Sequence, residues 1–113
     1  MPFKTVLENL TLFADEKTVL ESLSLLGLSE AANLYPAELS GGMARRVSIA
    51  RALSVEADIY ILDEAFSGLD SENIEKAARF INEKTAGKIL IAVSHNENDA
   101  NLLNAVMIDI ERL

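Results

Sequence analysis

Two carboxylates, Asp63 and Glu64, stand side by side at the end of the apolar run Ile59-Tyr60-Ile61-Leu62. The first could hold Mg²⁺ through water, and the second could orient or deprotonate an attacking water. The plainer assignment is that both cap the turn that follows, as acidic residues at strand ends often do. Upstream, Ser40-Gly41-Gly42 opens a helical stretch that runs to Leu53. Glycine is a poor helix former. Two of them here leave the first amides of the helix bare at the positive end of its dipole, an arrangement that favours a phosphate group. The competing assignment is an ordinary N-cap at Ser40 followed by a permissive turn. His95, the single histidine, follows Ile89 to Val93 in Val93-Ser94-His95-Asn96. Ligands of open α/β sheets gather at the carboxyl ends of strands, so His95 and the Asp63-Glu64 pair fall on one ligand face. A satisfied structural histidine is the alternative.

Behind these residues lie elements that must position them. Thr5-Val6-Leu7-Glu8 is a capping box, with Val6, Leu10 and Phe13 at helical spacing. A second helix is expected from about Glu16 to Leu26, with Val19, Leu20, Leu23 and Leu26 on one face and Gly27 as its C-cap. Ser29 to Leu34 reads as a short third helix, stopped by Tyr35-Pro36. Beyond Leu39 the pattern changes. Val47, Ala50 and Leu53 mark the helix after Ser40, and residues 59–62 read as a buried parallel strand. Ser71 to about Glu83 is amphipathic, Ile89 to Val93 is a second strand, and a polar helix near Glu97 to Leu103 leads to a third strand around Ala105 to Ile110. This alternation implies an α/β fold with a parallel sheet and right-handed crossovers.

Bulk composition sets limits on this reading. The chain has 113 residues, half of them apolar, which suits one domain with a sizeable core. Cysteine is absent, so there is no disulfide framework and no thiolate metal site. A net charge of −8 lacks the electrostatic footprint of a general nucleic-acid binder, and no nucleic acid is expected as a partner. No signal peptide opens the chain, and no apolar run reaches membrane-spanning length, so a soluble, cytoplasmic protein is expected.

Taken in order, the motifs are more specific than any one alone. Leu39-Ser40-Gly41-Gly42-Met43, then a strand ending Asp63-Glu64, then Ser67-Gly68-Leu69-Asp70, then a strand ending in His95, closely resemble the ABC-type ATPases. The first looks like that family's signature motif, with Met43 where glutamine is commoner. The next resemble its Walker B strand, with Ala65 where proline is usual, its D-loop and its switch-histidine loop. Tyr35-Pro36 ahead of Leu39 also matches. The resemblance implies a P-loop NTPase-like (RecA-like) parallel sheet, incomplete, in residues 39–113, preceded by a permease-facing helical subdomain in residues 1–38. It implies ATP and Mg²⁺ as cofactors, held in a head-to-tail dimer with a second ATP-binding subunit. In that frame Glu64 is the general base, Asp63 the magnesium residue, and His95 the contact that steadies the γ-phosphate. Ser40, Gly41, Gly42 and Met43 face a nucleotide bound mainly by the partner, and Asp70 bridges the two sites. A transmembrane permease would hold the subunit at the inner face of the membrane.

Two elements of the family are missing from these residues. The phosphate cradle G-x-x-x-x-G-K-[ST] does not occur. Gly87-Lys88 has Asn82 in place of the first glycine and Ile89 in place of the hydroxyl, and there is no glutamine for the family's glutamine loop. The resemblance therefore implies a C-terminal piece of the ATPase, opening just after the glutamine loop and inactive alone. Without the P-loop strand, open apolar surface beside residues 59–62 is expected to drive self-association. The alternatives are a naturally truncated, non-hydrolysing docking module, or a non-transport ABC ATPase of DNA repair or chromosome organisation. The latter usually carries long insertions ahead of the signature, and none is present. The short helical subdomain resembles bacterial importer or lipid-trafficking ATPases. Substrate, transport direction and partner permease are not encoded in the motifs.

Overall fold

The computed structural model describes residues 1–103. Helix α1 (Val6–Leu10) starts at Thr5, whose hydroxyl accepts from the Glu8 N–H while Glu8 reaches back to the Thr5 N–H, the expected capping box. The next two amides, of Val6 and Leu7, donate to the carbonyls of Leu34 and Ala32 at 2.8 and 2.9 Å. Those bonds satisfy donors that a helix start leaves orphaned, and they tie α1 to the chain that leads into the glycine pair. Helix α2 (Glu16–Leu25) is capped by Asp15 and closes at Gly27, which adopts φ +72° while the Leu28 N–H returns to the Leu23 carbonyl at 2.7 Å. Only glycine takes that conformation without strain, so Gly27 fills the expected C-cap.

Several expectations need correction. Leu20 is exposed rather than part of the buried face of α2, because its direction points away from the α1 and α3 packing. Phe13 lies past the end of α1 and is partly exposed, with the Arg51 guanidinium 5.3 Å from its ring centre. The stretch expected as a third helix is a single 3₁₀ turn, Ser29–Ala31; a second, Pro36–Glu38, follows the Tyr35-Pro36 stop. Six residues without a side-chain cap and next to proline do not sustain a full α-turn.

Helix α3 (Gly41–Ala52) begins at Ser40, and strand β1 (Ile59–Asp63) follows. Helix α4 (Ser71–Lys84), capped by Asp70, crosses to strand β2 (Ile89–Val93), and α5 (Asn98–Leu102) ends the described elements. The two strands pair in parallel, Ile59 with Ile89 through Asp63 with Val93. The third strand expected around Ala105 to Ile110 lies outside the described residues. One hydrophobic cluster runs from Val6 to Leu103, with Leu10, Leu23, Leu26, Leu28, Phe80 and Ile81 fully enclosed. Each such side chain contributes about 1.5–3 kcal/mol by leaving water. The 59–62 strand is buried on one face only. Tyr60 and Leu62 enter the core, while Ile59 and Ile61, with Ile89, Ile91 and Val93 beside them, stand exposed. The expected open apolar surface is present at these positions.

Candidate functional site

The candidate residues converge on the end of the molecule where β1 and β2 finish. Parallel pairing brings the two strand ends level, and the Glu64 N–H continues the ladder by donating to the Val93 carbonyl at 2.8 Å. There the chain turns sharply. Glu64 sits at φ +51°, the one non-glycine residue in the left-handed region among those described, and its carbonyl accepts from the Ser67 N–H at 3.1 Å. That twist separates the two carboxylates. Asp63 stays on the exposed face of the sheet, in line with Ile59 and Ile61, while the Glu64 side chain turns partly inward.

Glu64 Oε1 is screened from solvent and has no hydrogen-bond donor among the described residues. His95 Nε2 lies 3.4 Å from it, close enough for an ion pair when the imidazole is protonated but without hydrogen-bond alignment. His95 is otherwise free in solvent, its side chain 93 % exposed. The loop that carries it is organised by its neighbours. The Ser94 hydroxyl accepts from the Asn96 N–H at 3.1 Å and bonds to the Asp99 carboxylate at the start of α5.

The Ser-Gly-Gly turn meets the same end from the other side. A Cβ on Gly42 would lie 3.7 Å from Leu69 Cδ2 and 3.9 Å from the Gly68 carbonyl, so the first turn of α3 packs on the segment 67–70. A Cβ on Gly41 would meet nothing within 4 Å, so the space beside its Cα is open. Ser40 Oγ accepts from the Met43 N–H at 3.2 Å. Met43 is half-buried against the core, so its side chain packs rather than faces outward. Asp70 accepts from the Asn73 N–H at 2.9 Å and caps α4 from the far side of the Gly68 turn.

One contributor was not legible as such in the sequence. Arg46, in the middle of α3, is buried and donates to the carbonyls of Gly42 and Leu26. Its position three residues beyond Met43 gave a helix face but not a partner twenty residues away.

No three potential ligands cluster as a metal site among the described residues. Mg²⁺, however, is bound through one or two carboxylates together with phosphate oxygens and water, so Asp63 suits it as a single protein ligand. The orphaned acceptor on Glu64 and the open space beside Gly41 likewise suit a polar, phosphate-bearing ligand with an attacking water.

The protein-family model for the ABC transporter matches residues 1–67. The chain belongs to the ABC transporter family. It is 41% identical to the taurine import ATP-binding protein TauB of Rhizobium johnstonii over 91% of this chain and 44% of that one. To the nitrate import ATP-binding protein NrtC of Synechococcus elongatus it is 35% identical, over 92% of this chain and 18% of that one. Among solved structures, the dimeric post-hydrolysis state of the ATP-binding cassette MJ0796, bound to ADP and Pi, superposes with a TM-score of 0.79 at 33% identity, over 90% of this chain and 50% of that one. The fold is thus that of the ABC ATPase cassettes, an α/β fold of which a two-stranded parallel sheet is present among the described residues. The chain spans half or less of the length of these relatives. No described helix is long and apolar enough to cross a membrane.

Proposed function

We propose that these residues form the signature-and-Walker-B portion of the ATP-binding subunit of an ABC importer, working on ATP with Mg²⁺. The observation that supports this most directly is the meeting of the bare α3 N-terminus with the 67–70 segment, at the same end as the Glu64–His95 contact. Bound ATP with Mg²⁺ supplies a cleavable γ-phosphate whose charge is partly neutralised by the cation. Asp63, exposed at the strand end, holds the cation's side of that site. Glu64 takes the proton of the attacking water on Oε1, an atom that no internal donor engages. His95, on an exposed loop beside Glu64, steadies the γ-phosphate from that side.

Ser40, Gly41, Gly42 and Met43 present their turn to a nucleotide held mainly by a second ATP-binding subunit, docked head to tail. Ser40 Oγ accepts from Met43, so its own hydrogen remains for a phosphate oxygen beyond the chain. Asp70 stands where the two subunits' sites adjoin. The helical portion, residues 1–38, faces a permease that keeps the subunit at the inner face of the membrane. The open face of β1 and β2 gives the isolated chain a surface for self-association.

The G-x-x-x-x-G-K-[ST] cradle is absent from these 113 residues. Equilibrium dialysis and phosphate release on this chain alone are therefore expected to show neither tight Mg·ATP binding nor turnover. Turnover that vanishes in Glu64→Gln would overturn that expectation. Reading the DNA upstream of the Met1 codon tests the wider proposal. If an open frame supplies the cradle and a glutamine, Glu64→Gln in the longer protein should lower kcat about 10²–10⁴-fold while ATP still binds. Unchanged turnover would remove Glu64 from the role of base.

A further inference from the structure

Arg46 is the one charged side chain that is buried among the described residues, 8% exposed. Its Nε–H donates to the Gly42 carbonyl at 3.2 Å and an Nη1 hydrogen to the Leu26 carbonyl at 2.9 Å. No carboxylate pairs with it among those residues. The buried charge is instead compensated by the carbonyl at the end of α2, where a helix carries its negative partial charge. Gly27, held at φ +72°, lies beside this contact. A Cβ there would come within 3.5 Å of Arg46 Nη1 and 3.1 Å of Lys76 Nζ, which reaches in from α4.

We propose that Arg46 is a positioning residue: its guanidinium fork locks the first turn of α3, and with it Ser40, Gly41 and Gly42, onto the C-terminal end of α2. Any displacement of α2 is then passed to the glycine turn through two hydrogen bonds rather than absorbed by the intervening residues 28–39. The functional meaning of this link rests on the nucleotide-facing reading of the turn, whereas the geometric claim does not. A planar fork matters here. Lysine keeps the charge and the apolar stem, but a single ammonium cannot hold both carbonyls in fixed directions.

The absence of cysteine makes a direct test available. Glu21→Cys on α2 and Ala44→Cys in the first turn of α3, both at exposed positions, carry spin labels, and pulsed dipolar spectroscopy reads their separation. Diluted into excess unlabelled chain, so that self-association adds no distances between copies, the labelled 113-residue chain is expected to give one narrow distance distribution. Arg46→Lys and Arg46→Met are each expected to lose that narrow peak while circular dichroism keeps the helical signal. A wild-type-like distribution in Arg46→Lys would overturn the fork, since charge and stem would then suffice. A broad distribution in the parent would overturn the lock itself. If Arg46→Met fails to fold, Arg46→Lys decides. Global unfolding of Arg46→Lys would also overturn the proposal, because the fork would then support the core and not the turn. Nucleotide is absent from the measurement, so failure here leaves the ATP reading intact, and failure of the turnover test leaves this one intact.

Discussion

Glu64 carries two local costs at once: a backbone at φ +51° and a shielded carboxylate oxygen with no donor. A side chain in the left-handed region costs roughly 1–2 kcal/mol, and such strain collects where function requires it. Glu64→Gly removes both, and the chain is expected to gain about 1 kcal/mol, read as a raised urea midpoint at unchanged slope. A lowered midpoint would mean that the Glu64 side chain holds the turn together. The residue types at this site were plain in the sequence, because Asp63-Glu64, Ser40-Gly41-Gly42 and His95 are short motifs in a fixed order. The left-handed twist at Glu64 was not. Nothing in Asp-Glu-Ala-Phe marks a positive φ, which arises here from the ladder bond to Val93 and the return from Ser67. Arg46 was hidden for a related reason, since burial of a charge depends on which carbonyls folding delivers to it.

Helix starts divide into two kinds by chemistry. At α1 the Thr5 N–H, and after it the Thr5 hydroxyl, hold the Glu8 carboxyl below its ordinary range; at α2 Thr18, through its side chain and then its N–H, does the same for Asp15. A carboxyl whose folded pKa is lowered stabilises the fold above its unfolded pKa, and that contribution is lost as pH falls through the folded value. The loss begins as pH falls through the ordinary carboxyl range and continues below it, because the folded values are the lower ones. Helix α3 is capped by the Ser40 hydroxyl, which does not titrate in that window. Acidification followed by amide resonances should therefore move the Thr5 and Thr18 N–H signals, whose acceptors are the titrating carboxylates, while the Met43 N–H holds. Equal movement of all three would show global unfolding instead. The capping box at Thr5, the helical spacing of apolar residues and the strand runs made most elements legible with boundaries off by a residue or two. The 3₁₀ turn at Ser29–Ala31 escaped because a run of apolar and small residues does not reveal that its neighbours bond elsewhere, with the Ala32 and Leu34 carbonyls given to α1.

At the scale of the molecule, the sheet is half-covered. Helix α3 and the core take one face, whereas the other shows Ile59, Ile61, Ile89, Ile91 and Val93, with Ile61 68% exposed. Parallel sheets are normally covered on both sides, and an apolar patch of this kind draws a partner surface. Ile61→Lys with Ile91→Lys should leave the unfolding midpoint nearly unchanged, within about 0.5 kcal/mol, because neither side chain is in the core. The pair should also shift light scattering of the isolated chain toward the monomer. A parent chain that is already monodisperse and monomeric would count against self-association. The α/β class and the parallel pairing were readable from the alternation of runs. The single-faced burial of β1 was not, since an unbroken apolar run looks the same whether one face or two are covered.

The pairing of Ile59 with Ile89 places about thirty residues between partners, with α4 as the bridge. On a ribosome that adds roughly 5–20 residues per second, β1 emerges about 2–6 s before its only described neighbour exists. During that interval Ile59, Tyr60, Ile61 and Leu62 have no strand to bond to. Nascent-chain survival therefore depends on how quickly α1 to α3 collapse beneath Tyr60 and Leu62, and a holdase that grips short apolar segments would find its target here.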